Sequence, residues 1–133
     1  SIFKTLHYSD LEDQAEQQYG VLNKGKQDYK KDPRFWKYGR YYAPEFKSAI
    51  NFRSYKDNTV KTRYVCEVKI HPDGGPLFII TADDDKQNPL QGRAVSAIVK
   101  VLENKTRKST RNRHAFFQFP AEDKQPPSSP QPA

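Results

Sequence analysis

Asp83-Asp84-Asp85 gathers three carboxylates in a row, and clustered carboxylates are what hard cations bind. The alternating acidic positions followed by Gly that a calcium loop requires are absent, so the expected role is a solvated turn leading toward a helix. Cys66 stands five places before His71, a nucleophile beside a base. A reactive thiol needs an electropositive, partly open site. Cys66 instead alternates with apolar residues, the pattern of a core thiol. His7, His71 and His114 have no zinc-ligand spacing. Asp73-Gly74-Gly75 reads as a turn rather than a phosphate-cradling loop. No residue set supports catalysis, and the expectation is a non-enzyme without metal, cofactor or small-molecule substrate.

Lys105, Arg107, Lys108, Arg111 and Arg113 form a run of cations without an acid, interleaved with Thr106, Ser109 and Thr110. Such cations and hydroxyls make phosphate contacts, and each neutralised phosphate releases a counterion. The alternative is a solvated loop joining a helix to the next strand. From Lys24 to Tyr42, cations alternate with Phe35, Trp36, Tyr38, Tyr41 and Tyr42. That mixture suits either a stacking platform for single-stranded nucleic acid or aromatics packed on a sheet. The formal net charge of +7 gives a field that attracts polyanions and acidic protein surfaces.

Positioning these groups falls to a few elements. From Thr62 to Ile70, residues Tyr64, Cys66, Val68 and Ile70 share one face, with Arg63, Glu67 and Lys69 opposite. This is the period of a half-buried antiparallel strand. His71-Pro72-Asp73-Gly74-Gly75 supplies a turn, and Leu77 to Thr81 a second strand. Ser48 to Lys56 is a weaker third. A helix follows from about Arg93 to Asn104, with Ala94, Ala97, Ile98, Val101 and Leu102 as its apolar stripe. The fold class is therefore α+β: an antiparallel sheet of three or more strands packed by one main helix. Tyr64, Cys66, Val68, Ile70, Phe78, Ile98 and Leu102 are its expected core.

Composition divides the chain into three regions. Residues 1–40 are a polar, basic extension, with Ser9 and Glu12 as a capping box for a short helix. Residues 41–119 carry the folded module. Residues 120–133 are rich in Pro, Ser and Gln, and are expected to be disordered. The single cysteine excludes an intramolecular disulfide. No apolar run reaches the roughly 18 residues of a membrane span. With Ser at position 1, the chain is expected to be a fragment or processed product of a cytosolic or nuclear protein.

Tyr42 and Pro44 before Phe46-Lys47-Ser48, then Arg63-Tyr64-Val65-Cys66-Glu67-Val68, Asp73-Gly74-Gly75-Pro76-Leu77-Phe78 and Asp83-Asp84-Asp85 occur in a specific order. In that order they resemble the N-terminal half of the FYR domain (FYRN). The helix at 93–104 and Phe116-Phe117-Gln118-Phe119-Pro120 resemble the opening of its C-terminal half (FYRC). Members of the family usually carry Gly where Glu45 stands and Arg near Ile50, unless an insertion makes Arg53-Ser54-Tyr55 the match.

The resemblance implies one co-folded α+β module without catalysis. Such modules occur in trithorax-type histone methyltransferases, some histone demethylases and a growth-inhibitory nuclear regulator. It also implies a nuclear location and protein partners within a chromatin complex, one of them a segment completing the FYRC half. Direct contact with DNA or the nucleosome through the 105–113 cations is the alternative function.

Overall fold

The computed structural model describes residues 19–110 together with 116 and 117. Among the described residues, seven strands and one α-helix follow in chain order: β1 (Gly20–Asn23), β2 (Trp36–Lys37), β3 (Arg40–Tyr41), β4 (Lys47–Arg53), β5 (Lys61–Ile70), β6 (Pro76–Ala82), β7 (Leu90–Gly92) and α1 (Val95–Thr106). Five of the strands make one antiparallel sheet in the order β1-β4-β5-β6-β7, while β2 and β3 form a separate two-stranded ribbon. With α1 packed on it, this is the α+β architecture expected.

β5 is the spine of the sheet. Its alternation places Tyr64, Cys66 and Val68 on the inner face, and all three are fully buried. In register with them stand Ile50, Ser48 and, on β6, Ala82, Ile80 and Phe78. A slip of one residue would turn this whole set outward. The β5–β6 connection is the expected turn. His71 N–H donates to Gly75 O (2.7 Å) and Gly74 N–H to His71 O (2.7 Å).

Ile70 departs from its expected place in the core: it is 42% exposed. It pairs with Pro76 at the turn end of the hairpin, past the edge of what packs on the inner face. The alternation continues there, but the cover does not.

α1 lies two residues later than its sequence pattern suggests, and its buried stripe is Val95, Ile98, Val99 and Leu102. Ile98 and Leu102 are core residues as expected, whereas Ala97 and Val101 face outward. Contact with the sheet is close at Gly92, where an added Cβ would stand 2.7 Å from Ile98 Cγ2.

The aromatic core reaches upstream of residue 41. Phe35 is fully buried, as are Tyr41, Tyr42 and Phe46. Tyr42 meets Phe78 edge-on with centroids 5.0 Å apart, and Phe78 in turn meets Phe117 at 5.5 Å. Phe116 packs edge-on against Phe52 at 5.3 Å. Together with β1 in the sheet, this places part of the 1–40 stretch inside the fold. Offset and edge-to-face pairs of this kind add stability beyond their buried area, which lets few aliphatics suffice. The capping box at Ser9 and the Pro-rich tail lie outside the described residues.

Candidate functional site

Asp83–Asp85 form a single 3-10 turn at the end of β6. Three residues per turn point successive side chains in three directions, so the carboxylates diverge instead of converging on an ion. Asp83 Oδ2 accepts from Arg63 Nε (2.7 Å) and Asp83 Oδ1 from Arg63 Nη2 (3.2 Å). Asp84 Oδ2 accepts from Ser54 Oγ (2.6 Å), and Asp85 Oδ2 from the Tyr55 hydroxyl (2.6 Å). Asn88 Nδ2 donates to the other oxygen of Asp85 (2.8 Å).

The bond from Tyr55, then that from Asn88, holds the Asp85 carboxyl below its ordinary range; burial of Tyr55, and next the same bond, pushes the phenol up. Among the described residues, no group of three or more His, Cys, Asp or Glu is placed to hold a metal. The turn is a staple between the β4–β5 loop and the end of β6.

Cys66 is fully buried beside Ser48, and burial pushes its thiol well above the ordinary value. Ser48 Oγ donates to Phe116 O (3.1 Å). His71 stands beyond the far end of β5, where its Nδ1 accepts the Asp73 N–H at 3.2 Å. The fold therefore does not bring Cys66 and His71 together as nucleophile and base.

The basic run begins in the last turn of α1. Lys105 Nζ sits 5.0 Å from the Tyr55 ring centroid and Lys108 Nζ 5.6 Å from that of Phe52. Arg107 takes the left-handed position that ends the helix (φ 55°). Glu103 accepts from Thr110 through its N–H (2.6 Å) and Oγ1 (2.9 Å), tying the following chain back to the helix. Arg111 and Arg113 lie outside the described residues.

Lys100 joins Arg107 and Lys108 in lining an open groove with Glu103 and Asn104. No helical spacing marks Lys100 in the sequence: Arg107 and Lys108 lie past the last helical residue, Thr106, and come to line the groove only after the left-handed turn at Arg107. This groove can hold an anionic group against three cations. The aromatics of 24–42, in contrast, are largely consumed in packing: Phe35, Tyr41 and Tyr42 are buried, and Trp36 Nε1 donates to Lys30 O (2.6 Å). Only Tyr38 among them is exposed.

One site has no counterpart in the sequence reading. On the face of the sheet away from α1, the Arg63 side chain is only 7% exposed although its strand position alternates outward. Its Nη1 is buried with no hydrogen-bond partner among the described residues. An unsatisfied buried donor of this kind costs about 1–3 kcal/mol, more when charged. Neither Arg63 nor Asp83 alone signals this. Their juxtaposition follows from the β5–β6 register, which pairs the neighbouring Tyr64 and Ala82.

Comparison with protein-family models and with curated proteins finds no match to this chain.

Proposed function

We propose that this chain is a non-catalytic protein-interaction module of a nuclear, chromatin-associated complex, as the FYR resemblance implies. The observation that carries the reading is the backbone of Glu45, which takes φ +68°. Gly enters that left-handed conformation without strain, and other residues do so at a cost. Glu45 stands where members of the family usually have Gly. The fate of the reactive side chains fits the same reading: Cys66 is sealed in the core, and all three carboxylates of the Asp turn are held by internal partners.

The partner-facing element is the edge strand β1. Tyr19 just before it is 56% exposed and Val21 within it 40%. An edge strand offers unpaired backbone groups to an incoming strand, and exposed apolar side chains beside them add contact area. Replacing Tyr19 and Val21 together by Lys leaves the core untouched. The double variant should keep its circular dichroism and lose retention in the chromatin fraction of nuclei. Full retention by the folded variant would refute the reading.

A second reading, phosphate contact through the 105–113 cations, is favoured by the groove that joins Lys100 to Arg107 and Lys108.

A further inference from the structure

We propose that the pocket around Arg63, on the sheet face opposite α1, receives a carboxylate side chain from an acidic segment of a partner protein. The proposal rests on the interaction-module reading and adds to it a second surface and the chemistry of the partner.

The pocket has a volume of about 220 Å³, and Lys47, Arg63, Val65, Thr81 and Lys86 line it along with two acids, Glu67 and Asp83. Both acids are engaged. Asp83 takes the Nε and Nη2 side of the Arg63 guanidinium, and Glu67 pairs with Lys69 at 3.7 Å. Lys47 and Lys86 make no ion pair among the described residues. What remains is a positive field with a specific vacancy in hydrogen bonding: Nη1 of a guanidinium that is more than nine-tenths buried and otherwise fixed.

A guanidinium presents two N–H groups side by side at its free end, and a carboxylate matches that fork with two parallel bonds. The Thr81 side chain stands at the same pocket as a further polar group. Val65 forms an apolar wall, and Ile79 and Leu77 continue the same face, half-buried, along β6. An acidic residue flanked by apolar ones satisfies both the fork and this surface. A small inorganic anion satisfies only the charge. Lys47 and Lys86 would draw the acid in from solution.

The test uses the full, uniformly 15N-labelled chain and two capped peptides, Leu-Glu-Leu-Glu-Leu and its counterpart with Gln for Glu. Nuclear magnetic resonance should show the Glu peptide shifting the amides of Lys47, Arg63, Thr81 and Lys86 and the Nε of Arg63. Binding should be weakened roughly tenfold or more in the Gln peptide, which loses the charge-assisted bonds. The surface double variant K47E/K86E should weaken the Glu peptide comparably. R63K, which keeps the charge but not the fork, should do the same, with its own spectrum reporting whether the sheet is intact.

Equal binding of the two peptides would overturn the proposal, as would shifts confined to other faces or no shifts at all. Inorganic phosphate binding as tightly as the Glu peptide would overturn it too, by making the pocket a simple anion site. None of these failures touches the β1-edge reading, whose test uses Tyr19 and Val21.

Discussion

The Tyr55 hydroxyl donates to Asp85 Oδ2 across 2.6 Å, and one residue earlier on each segment Ser54 Oγ donates to Asp84 Oδ2 across the same distance. Two consecutive residues of the β4–β5 loop thus meet two consecutive residues of the Asp turn in the same order. Neither sequence segment carries chemistry on its own; the pairing gives both a structural role.

The Tyr55–Asp85 bond is one of several that shape the acid limb of stability. Asp85 is held below its ordinary range first by the Tyr55 bond, Asp73 first by the Gly75 N–H, Asp32 by Arg34 and Asp57 by Thr59. A depressed folded-state pKa contributes stability that is present above the unfolded value, about 3.9 for Asp, and is lost as pH falls through the folded value. Urea midpoints should therefore hold steady down to about pH 5 and fall below about pH 4. In Tyr55→Phe the fall should be shallower, because Asp85 loses the largest cause of its shift.

Tyr64 packs against both rings of the Phe52–Phe116 pair and donates its hydroxyl to Arg53 O (2.6 Å). Tyr64→Ala should cost about 3–5 kcal/mol, the range for deleting a large buried aromatic. Chemical denaturation measures it directly. A loss below about 1 kcal/mol would be typical of a surface position instead.

Cys66 should resist thiol reagents in the native state, since it is fully buried and burial raises its pKa. Labelling by a disulfide reagent at mildly alkaline pH should proceed only as fast as the chain opens. A rate close to that of a free thiol would place Cys66 outside the core.

Gly25 has φ +79°, and a Cβ there would stand 2.6 Å from Pro44 O and 2.7 Å from Phe46 N. Both obstacles are backbone, so Gly25→Ala should destabilise by more than about 1 kcal/mol. Gly92 is not in the left-handed region, and its obstacle is a side-chain methyl, Ile98 Cγ2, instead of backbone. Gly92→Ala should be the milder of the two in thermal unfolding.

For the nucleic-acid reading, five phosphate contacts by Lys105, Arg107, Lys108, Arg111 and Arg113 predict a slope of about −4.5 in log affinity against log salt. Replacing all five by Gln should flatten it toward zero. An unchanged slope would assign the run to a solvated loop.

β5, β6 and α1 were legible because each buries one face, and burial writes a period into the residues. β1 and β7 were not. Gly-Val-Leu-Asn and Leu-Gln-Gly are too short for a period, and they are strands because β4 and β6 offer them partners. Glu45 shows a similar limit: its left-handed backbone is set by bonds to and from β5, Glu45 N–H to Val68 O (2.8 Å) and Val68 N–H to Phe46 O (3.0 Å). Of the candidate site residues, the Asp turn was visible but its partners were not, because they stand 20 or 30 positions away. Arg63 read as a solvent-facing residue by alternation. Only the register with β6 reveals that it meets Asp83 and is enclosed.

The order of the strands has a kinetic consequence. β4, β5 and β6 each pair with the next strand along the chain, whereas β1 reaches β4 across the whole Lys24–Phe46 stretch, with Asn23 opposite Lys47. Contacts between sequence neighbours close small loops and form fast; closing a large loop carries more entropy before any contact rewards it. The four-strand meander is thus the natural nucleus, and β1 docks onto a surface already made. Substitutions in β5 and β6 should slow folding, while those in β1 should chiefly hasten unfolding.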